Sequence, residues 1–226
     1  MDEITIDGVT YIEKSYRNDA CYAVKKVSSR ADDIEIRDFI YQIPVVYIEE
    51  SAFNGLPVVN VTLPGCIRCF DTKSFFNCPR LKSIKIKPRC YDTFGISFSS
   101  YAVDGCPIEM IDASDHQLTL YSHALANCAS LESVKGQIKL IGKNAIAGCK
   151  KLKHLVFCAN AHAFEYAFGK SYLETVVFRG GISMAKSALN ALKKTSIFCT
   201  EEFKYIDLVY GGWSITVKPA KELPYN

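Results

Sequence analysis

Between residues 45 and 199 short apolar runs alternate with polar punctuation at a nearly constant interval. AFNGLPVVNVTLP (52–64) aligns with SFFNCPRLKSIKIKP (74–88), AVDGCPIEMIDA (102–113) and ALANCASLESVKG (124–136). AIAGCKKLKHLVF (145–157) and ALNALKKTSIFC (188–199) follow the same pattern, and YAFGKSYLETVVF (166–178) follows it loosely. Each unit has a small residue and an apolar one, two spacers, then Cys or Leu. An apolar residue comes about three later, and a β-type run ends the unit. The Cys/Leu column reads Leu56, Cys78, Cys106, Cys128, Cys149, Lys170 and Leu192, at intervals of 22, 28, 22, 21, 21 and 22. The one long interval places an insertion near 95–101. Such periodicity precedes any secondary-structure reading, because missing it misreads the whole fold.

Three further columns share this period. Small residues recur at Ala52, Ser74, Ala102, Ala124, Ala145 and Ala188, each preceded by four by an apolar residue at Ile48, Phe70, Phe98, Leu120, Ile141 and Met184. The β-runs align on Val61, Ile84, Ile111, Val134, Leu155, Val176 and Ile197. A unit of this length buries its inner face only against the next one, so the units stack into a solenoid. Successive strands then lie side by side at about 4.8 Å in a parallel sheet. At the amino terminus ITIDGVTYI (4–12) alternates around Asp7-Gly8, a hairpin signal, and ACYAVKKV and IEIRDFI supply further short strands. YIDLVYGGWSITV (205–217) reads as a second hairpin around Gly211-Gly212, with Trp213 over the last coil.

The pattern A-F-x-x-C-x-x-L-x-x-I-x-I-P followed by V-x-x-I-G resembles the BspA-like (Treponema pallidum-type) leucine-rich repeat. The likeness spans about 45–199 and is closest at 74–88, 124–134 and 139–157. It implies an α/β solenoid, a right-handed leucine-rich-repeat coil with a parallel β-sheet face. The organisation expected is a β-rich cap over 1–44, about seven coils over 45–199, and a capping hairpin and tail over 200–226. BspA-like relatives are mostly surface or secreted proteins of bacteria and mucosal protozoa, associated with adhesion, so the resemblance implies a protein-binding role.

Composition narrows the function classes. The 226 residues are 49% hydrophobic and 23% charged, with a formal charge of +3. Basic residues are scattered rather than clustered, which argues against nucleic acid. No apolar run is long enough for a transmembrane helix. MDEITIDGV opens acidic and lacks the basic n-region of a signal peptide, so a cytoplasmic location is expected, or a cell-surface or secreted one if a leader was removed. Ten cysteines without a secretion signal point to thiols in a reducing compartment rather than to a disulfide framework.

The candidate chemistry is sparse. A column of single thiols lacks tetrahedral metal spacing, has no recurrent base nearby, and admits Leu, so it reads as small buried hydrophobes. Cys66-Ile67-Arg68-Cys69 is a C-x-x-C, and aligning PGCIRCF (64–70) with PRCYDTF (88–94) brings Cys90 one coil from Cys66. Those three thiols are the candidates for a metal- or thiol-dependent alternative. His116, His123, His154 and His162 form no triad, and no nucleophile elbow, phosphate loop or zincin motif occurs. No enzyme activity and no cofactor are expected.

Strand alternation puts two rows on the outer sheet face. One is Asn60, Ser83, Met110, Ser133, His154, Thr175 and Ser196. The other is Thr62, Lys85, Asp112, Lys135, Val156, Val177 and Phe198, ending in an apolar stripe. Contiguous exposed apolar area marks partner sites. These rows are therefore the candidate surface of a non-catalytic scaffold that binds a protein partner, as an intracellular adaptor or inhibitor or, alternatively, as an adhesin.

Overall fold

The computed structural model describes residues 3–89 and 95–199 and the backbone of Val217–Pro219. Cys90, the 205–217 hairpin and Trp213 lie outside the described residues, apart from the backbone of Val217. The chain opens with an antiparallel meander of β1 (Glu3–Ile6), β2 (Val9–Tyr16) and β3 (Asp19–Val27). Asp7 and Gly8 both take positive φ between β1 and β2, as a two-residue type I′ turn requires.

From β3 onward each coil contributes to two parallel ladders. β4 (Asp33–Glu35), β5 (Phe39–Ile40), β6 (Ile43–Ile48), β7 (Asn60–Leu63), β8 (Cys69–Phe70), β9 (Ser83–Ile86) and β10 (Ile96–Phe98) are short. β11 (Met110–Leu120), β12 (Ser133–Ile141) and β13 (His154–Ala163) are long enough to serve both ladders. β14 (Thr175–Phe178), β15 (Ile182–Met184), β16 (Ser196–Cys199) and β17 (Val217–Pro219) complete the stack. The inner rung of the first ladder runs Ile34, Val61, Ile84, Ile111 and Val134, then Leu155, Val176 and Ile197. That of the second runs Ile48, Phe70, Phe98, Leu120, Ile141, Ala163 and Met184.

The expected solenoid with a parallel sheet face is present, as a β-solenoid of about eight turns, and the only helix among the described residues is the six-residue α1 (Lys186–Ala191). Four details differ. Tight turns do the work the α/β label gave to helices. The stack also begins before residue 45, because β3 pairs parallel with β6 and β4 with β7. The extra residues of the long interval fall before 95–101. Leu63 pairs with Ile86 and Phe70 with Phe98, so seven steps in one coil match twelve in the next. Finally, Lys170 is not in the cysteine column, as its backbone shows.

Six of the coils cross a tight turn with two residues at positive φ each. One set is Ser51, Lys73, Tyr101, His123, Asn144 and Tyr166; the other is Gly55, Asn77, Gly105, Asn127, Gly148 and Lys170. Lys170 therefore matches Gly148, and Ser171 takes the cysteine position in a coil one residue shorter between there and Leu173. The left-handed region costs most L-residues about 1–2 kcal/mol and is cheapest for Gly and Asn. Immediately inside the second set the thiols of Cys78, Cys106, Cys128 and Cys149 donate to the carbonyls of Phe53, Phe75, Val103 and Leu125 of the preceding coil, at 3.0–3.1 Å. Each cysteine thus fills a small space and gives a core carbonyl a hydrogen-bond donor from the next coil.

Aromatic rungs extend this stacking. Phe53 lies on Phe75 at 4.3 Å and Phe70 on Phe98 at 4.1 Å, and burying each such ring contributes about 1.5–3 kcal/mol. Where two coils touch by backbone, Gly65 is required, since a Cβ there would stand 1.9 Å from the Pro88 carbonyl oxygen. No helix among the described residues is long and apolar enough to cross a membrane.

Candidate functional site

The outward rows of the first ladder form an open face, one side chain per coil. In its amino-terminal half the face is polar and internally bonded. Ser83 Oγ donates to Asn60 Oδ1 at 2.7 Å, and Asn60 Nδ2 donates to Asp33 Oδ1 at 2.7 Å. Thr62, Lys85 and Asp112 stand in register in the second row, with Met110 half-buried in the first. Lys135 approaches Asp112 at 3.5 Å. Asp112 also accepts from Ser114 Oγ at 2.6 Å; that bond and the Lys135 charge hold its carboxyl below the ordinary range.

Ion pairs between coils, adjacent or one apart, line the edges. Lys87 bridges Glu35 and Asp38 at 2.7 and 2.6 Å. Partial burial pulls its ammonium down, but the hydrogen bonds to Asp38 and Glu35 outweigh it and hold the group above the ordinary lysine value. Arg80–Asp32, Lys151–Glu132 and Lys153–Glu174 are exposed pairs on the opposite margin, where solvent screens them. Beneath the face, His116 is buried and donates from Nε2 to the Lys87 carbonyl at 3.1 Å, while its Nδ1 has no partner. Burial pushes its pKa down, so the ring stays uncharged.

The carboxy-terminal half differs. β12 meets β13 through Ile138, Leu140 and Ile141 only, so among the described residues Ser133–Lys135 do not pair with His154–Val156. Gly136, at φ 138°, directly follows Lys135, where the β11–β12 register shifts. Pairing resumes with His154, Val156, Thr175, Val177, Ser196 and Phe198 in register. The apolar stripe is narrower than expected. Val156 and Val177 are half-buried, but Phe198 is only 4% exposed and Thr175 8%. Phe198 is not the last rung, since β17 lies beside it with Lys218 opposite.

The C-x-x-C thiols have separate partners. Cys66 is buried and donates to the carbonyls of Val45 and Asp38 at 3.4 and 3.6 Å, whereas Cys69 faces Ser99 Oγ at 3.8 Å on the second ladder. No group of three or more His, Cys, Asp or Glu side chains suited to a metal occurs among the described residues. No disulfide joins any two of the nine described cysteines, and every one except Cys69 is buried.

One surface escaped the sequence reading. Tyr101, His123 and Tyr166 occupy the first positive-φ set, with Tyr121 and Phe164 two residues ahead of that set in their own coils. The signal was present in the chain, since each of the first three immediately precedes a small residue: Ala102, Ala124 or Ala167.

A protein-family model described as BspA type leucine rich repeat region (6 copies) matches residues 31–100, 46–174 and 95–197. Among solved structures the chain is similar to a Treponema pallidum leucine-rich-repeat protein, at 18% identity and a TM-score of 0.46 over 78% of this chain and 71% of that one. It is similar to a leucine-rich cell surface protein of Faecalibacterium prausnitzii, at 14% identity and 0.43 over 82% and 73%. A leucine-rich-repeat protein of Bacteroides ovatus aligns at 18% identity and 0.43 over 96% and 76%. No curated protein matches the chain.

Proposed function

Because the chain belongs to the BspA-type leucine-rich-repeat family, a family of general protein-binding scaffolds, we propose that it binds a protein partner through the outward rows of its first ladder, without catalysis. The observation that carries this reading is the register of Asn60, Ser83, Lys85, Asp112 and Lys135 on one open face. Side chains fixed by a sheet are pre-organised, so little entropy is lost on binding. Alternating charge along Lys85, Asp112 and Lys135 favours a partner with the complementary alternation, which sets register and discriminates against wrong partners. Val156 and Val177 supply an apolar contact at the other end, while the buried Thr175 and Phe198 fall outside the surface. The buried column thiols Cys78, Cys106, Cys128 and Cys149 favour an adaptor or inhibitor in a reducing compartment.

The test is charge reversal with a surface readout. A photo-crosslinking residue at Ser83 should trap a discrete partner from host extract, and the same residue at Tyr41, an exposed position outside these rows, should not. Lys85→Glu with Lys135→Glu should remove the adduct while the urea midpoint stays put. An adduct unaffected by the double reversal would end this reading.

A further inference from the structure

The edge between the second ladder and the tight turns presents a group of half-exposed rings away from the sheet face. Tyr121 and Phe164 are 48% and 51% exposed, and Tyr101 and Tyr166 are 37% and 55%. Backbone geometry makes these choices costly. At the inner positive-φ position the chain uses Gly or Asn in five coils of six; at the outer one it does so once, at Asn144. Tyr101, His123 and Tyr166 accept a left-handed conformation that a bulky side chain resists. Such strain persists where the surroundings impose it, and it points to use.

The rings form two ridges. Tyr101 stacks on His123 at 4.8 Å and 12°, so ring spacing along the edge equals one coil. Asn144 Nδ2 donates to His123 Nε2 at 3.2 Å, leaving the proton on Nδ1, which donates to Ser122 Oγ at 2.8 Å. With both nitrogens engaged, His123 serves as a fixed flat surface. Tyr166 is held by its backbone N–H donating to Ser187 Oγ at 3.0 Å. Between the ridges lies one low coil. Gly142 stands between Tyr121 and Phe164, where a Cβ would meet the Tyr121 backbone at 2.9 Å, and Asn144 stands between His123 and Tyr166.

From this geometry we infer that the aromatic edge is a docking site for a proline-rich segment in the polyproline II conformation. Ridges two coils apart are separated by about 9.6 Å, twice the strand spacing. A polyproline II helix repeats every three residues, about 9.3 Å at its rise of 3.1 Å. The two prolines of a P-x-x-P segment therefore meet the two ridges, and the residues between them cross the low coil. Polyproline II makes no internal hydrogen bonds, so its carbonyls are free to accept from the tyrosine hydroxyls. Aromatic-lined grooves are the surfaces that take such ligands. The exposed charges on the intervening positions, Lys143 and Glu165, are opposite in sign, which favours a ligand of low net charge over a polyanion.

This site is separate from the sheet face, and its test is independent of that reading. Fluorescein-labelled decaproline and a labelled P-x-x-P decamer are titrated with the full chain and followed by anisotropy. Saturable binding of either is expected, weakened about tenfold or more by Tyr121→Ser with Phe164→Ser. Tyr41→Ser and the Lys85→Glu, Lys135→Glu pair should leave it unchanged. Tyr166→Asn, which suits the left-handed turn, should also weaken binding, and it decides the matter if the double variant misfolds. Absence of saturable binding, or equal binding by the variants, overturns the proposal. So does capture of maltoheptaose or chitohexaose by the same rings without capture of either peptide.

Discussion

Two columns border the same turn and obey opposite rules. The cysteine column holds Leu56, Cys78, Cys106, Cys128, Cys149, Ser171 and Leu192, uncharged throughout and buried wherever Cys occurs. The outer positive-φ column has an equally uniform backbone but holds Ser, Lys, Tyr, His, Asn and Tyr. Both are fixed by the repeat, yet only the inward one constrains the side chain, because only there does every atom meet a neighbour. Variation in the outer column is therefore free of the fold, and the bulky choices in it run against backbone preference. The comparison separates residues that make the solenoid from residues that the solenoid displays.

The comparison breaks most visibly if the inward column is charged. Cys128→Asp would set a carboxylate among buried apolar atoms with no cation to pair it, a cost of about 3–5 kcal/mol. It would also leave the Val103 carbonyl without the thiol that now donates to it. Urea denaturation should show loss of most or all cooperative stability. Lys73→Asp in the outer column, at an exposed position, should change the midpoint little.

A smaller effect appears in alkali. Burial pushes the Cys149 thiol up to about 12, from an ordinary value of 9, and burial also drives Cys128 well above that value. Below pH 9 folded and unfolded chains both keep these protons, so stability does not depend on them. Between pH 9 and 12 the unfolded chain binds fewer protons, so stability falls as pH rises, by about 1.4 kcal/mol per unit for each such thiol. Cys149→Val should flatten that slope in urea titrations from pH 8 to 10.5. An unchanged slope would mean that the column is not closed to solvent. Below pH 9 the complementary observation is alkylation: half-exposed Cys69 should react ahead of every buried member of the column.

How much of this was legible follows from the same contrast. Burial imposes residue type, so the strand columns and most of the cysteine column could be read from spacing alone. Spacing misreads whatever a single residue shifts. Shortening before Leu173 made Lys170 look like a column member in place of Ser171, and the extra residues between Ile86 and Phe98 drew the insertion toward 95–101. Burial of Thr175 and Phe198 depends on what lies beside the last coils, which no periodicity reports. The outer column stayed hidden because its residues ignore the preference for Gly and Asn by which such turns are recognised.

The smallest effect is the sharpest test of that column. Tyr166 is exposed and its ring makes no stacking contact with another described ring, so its replacement removes little packing. Its φ of 55° suits Asn, whose short amide tolerates the left-handed region, better than a bulky ring. Tyr166→Asn should therefore stabilise the chain, by about 0.5–1 kcal/mol, read as a small upward shift in the urea midpoint with no change in slope. The backbone bond to Ser187 uses the main-chain N–H and survives the change. A variant that gains stability and loses the proline-rich ligand would show tyrosine held there for what it contacts. A variant that loses stability would return the ring to the structural side of the comparison.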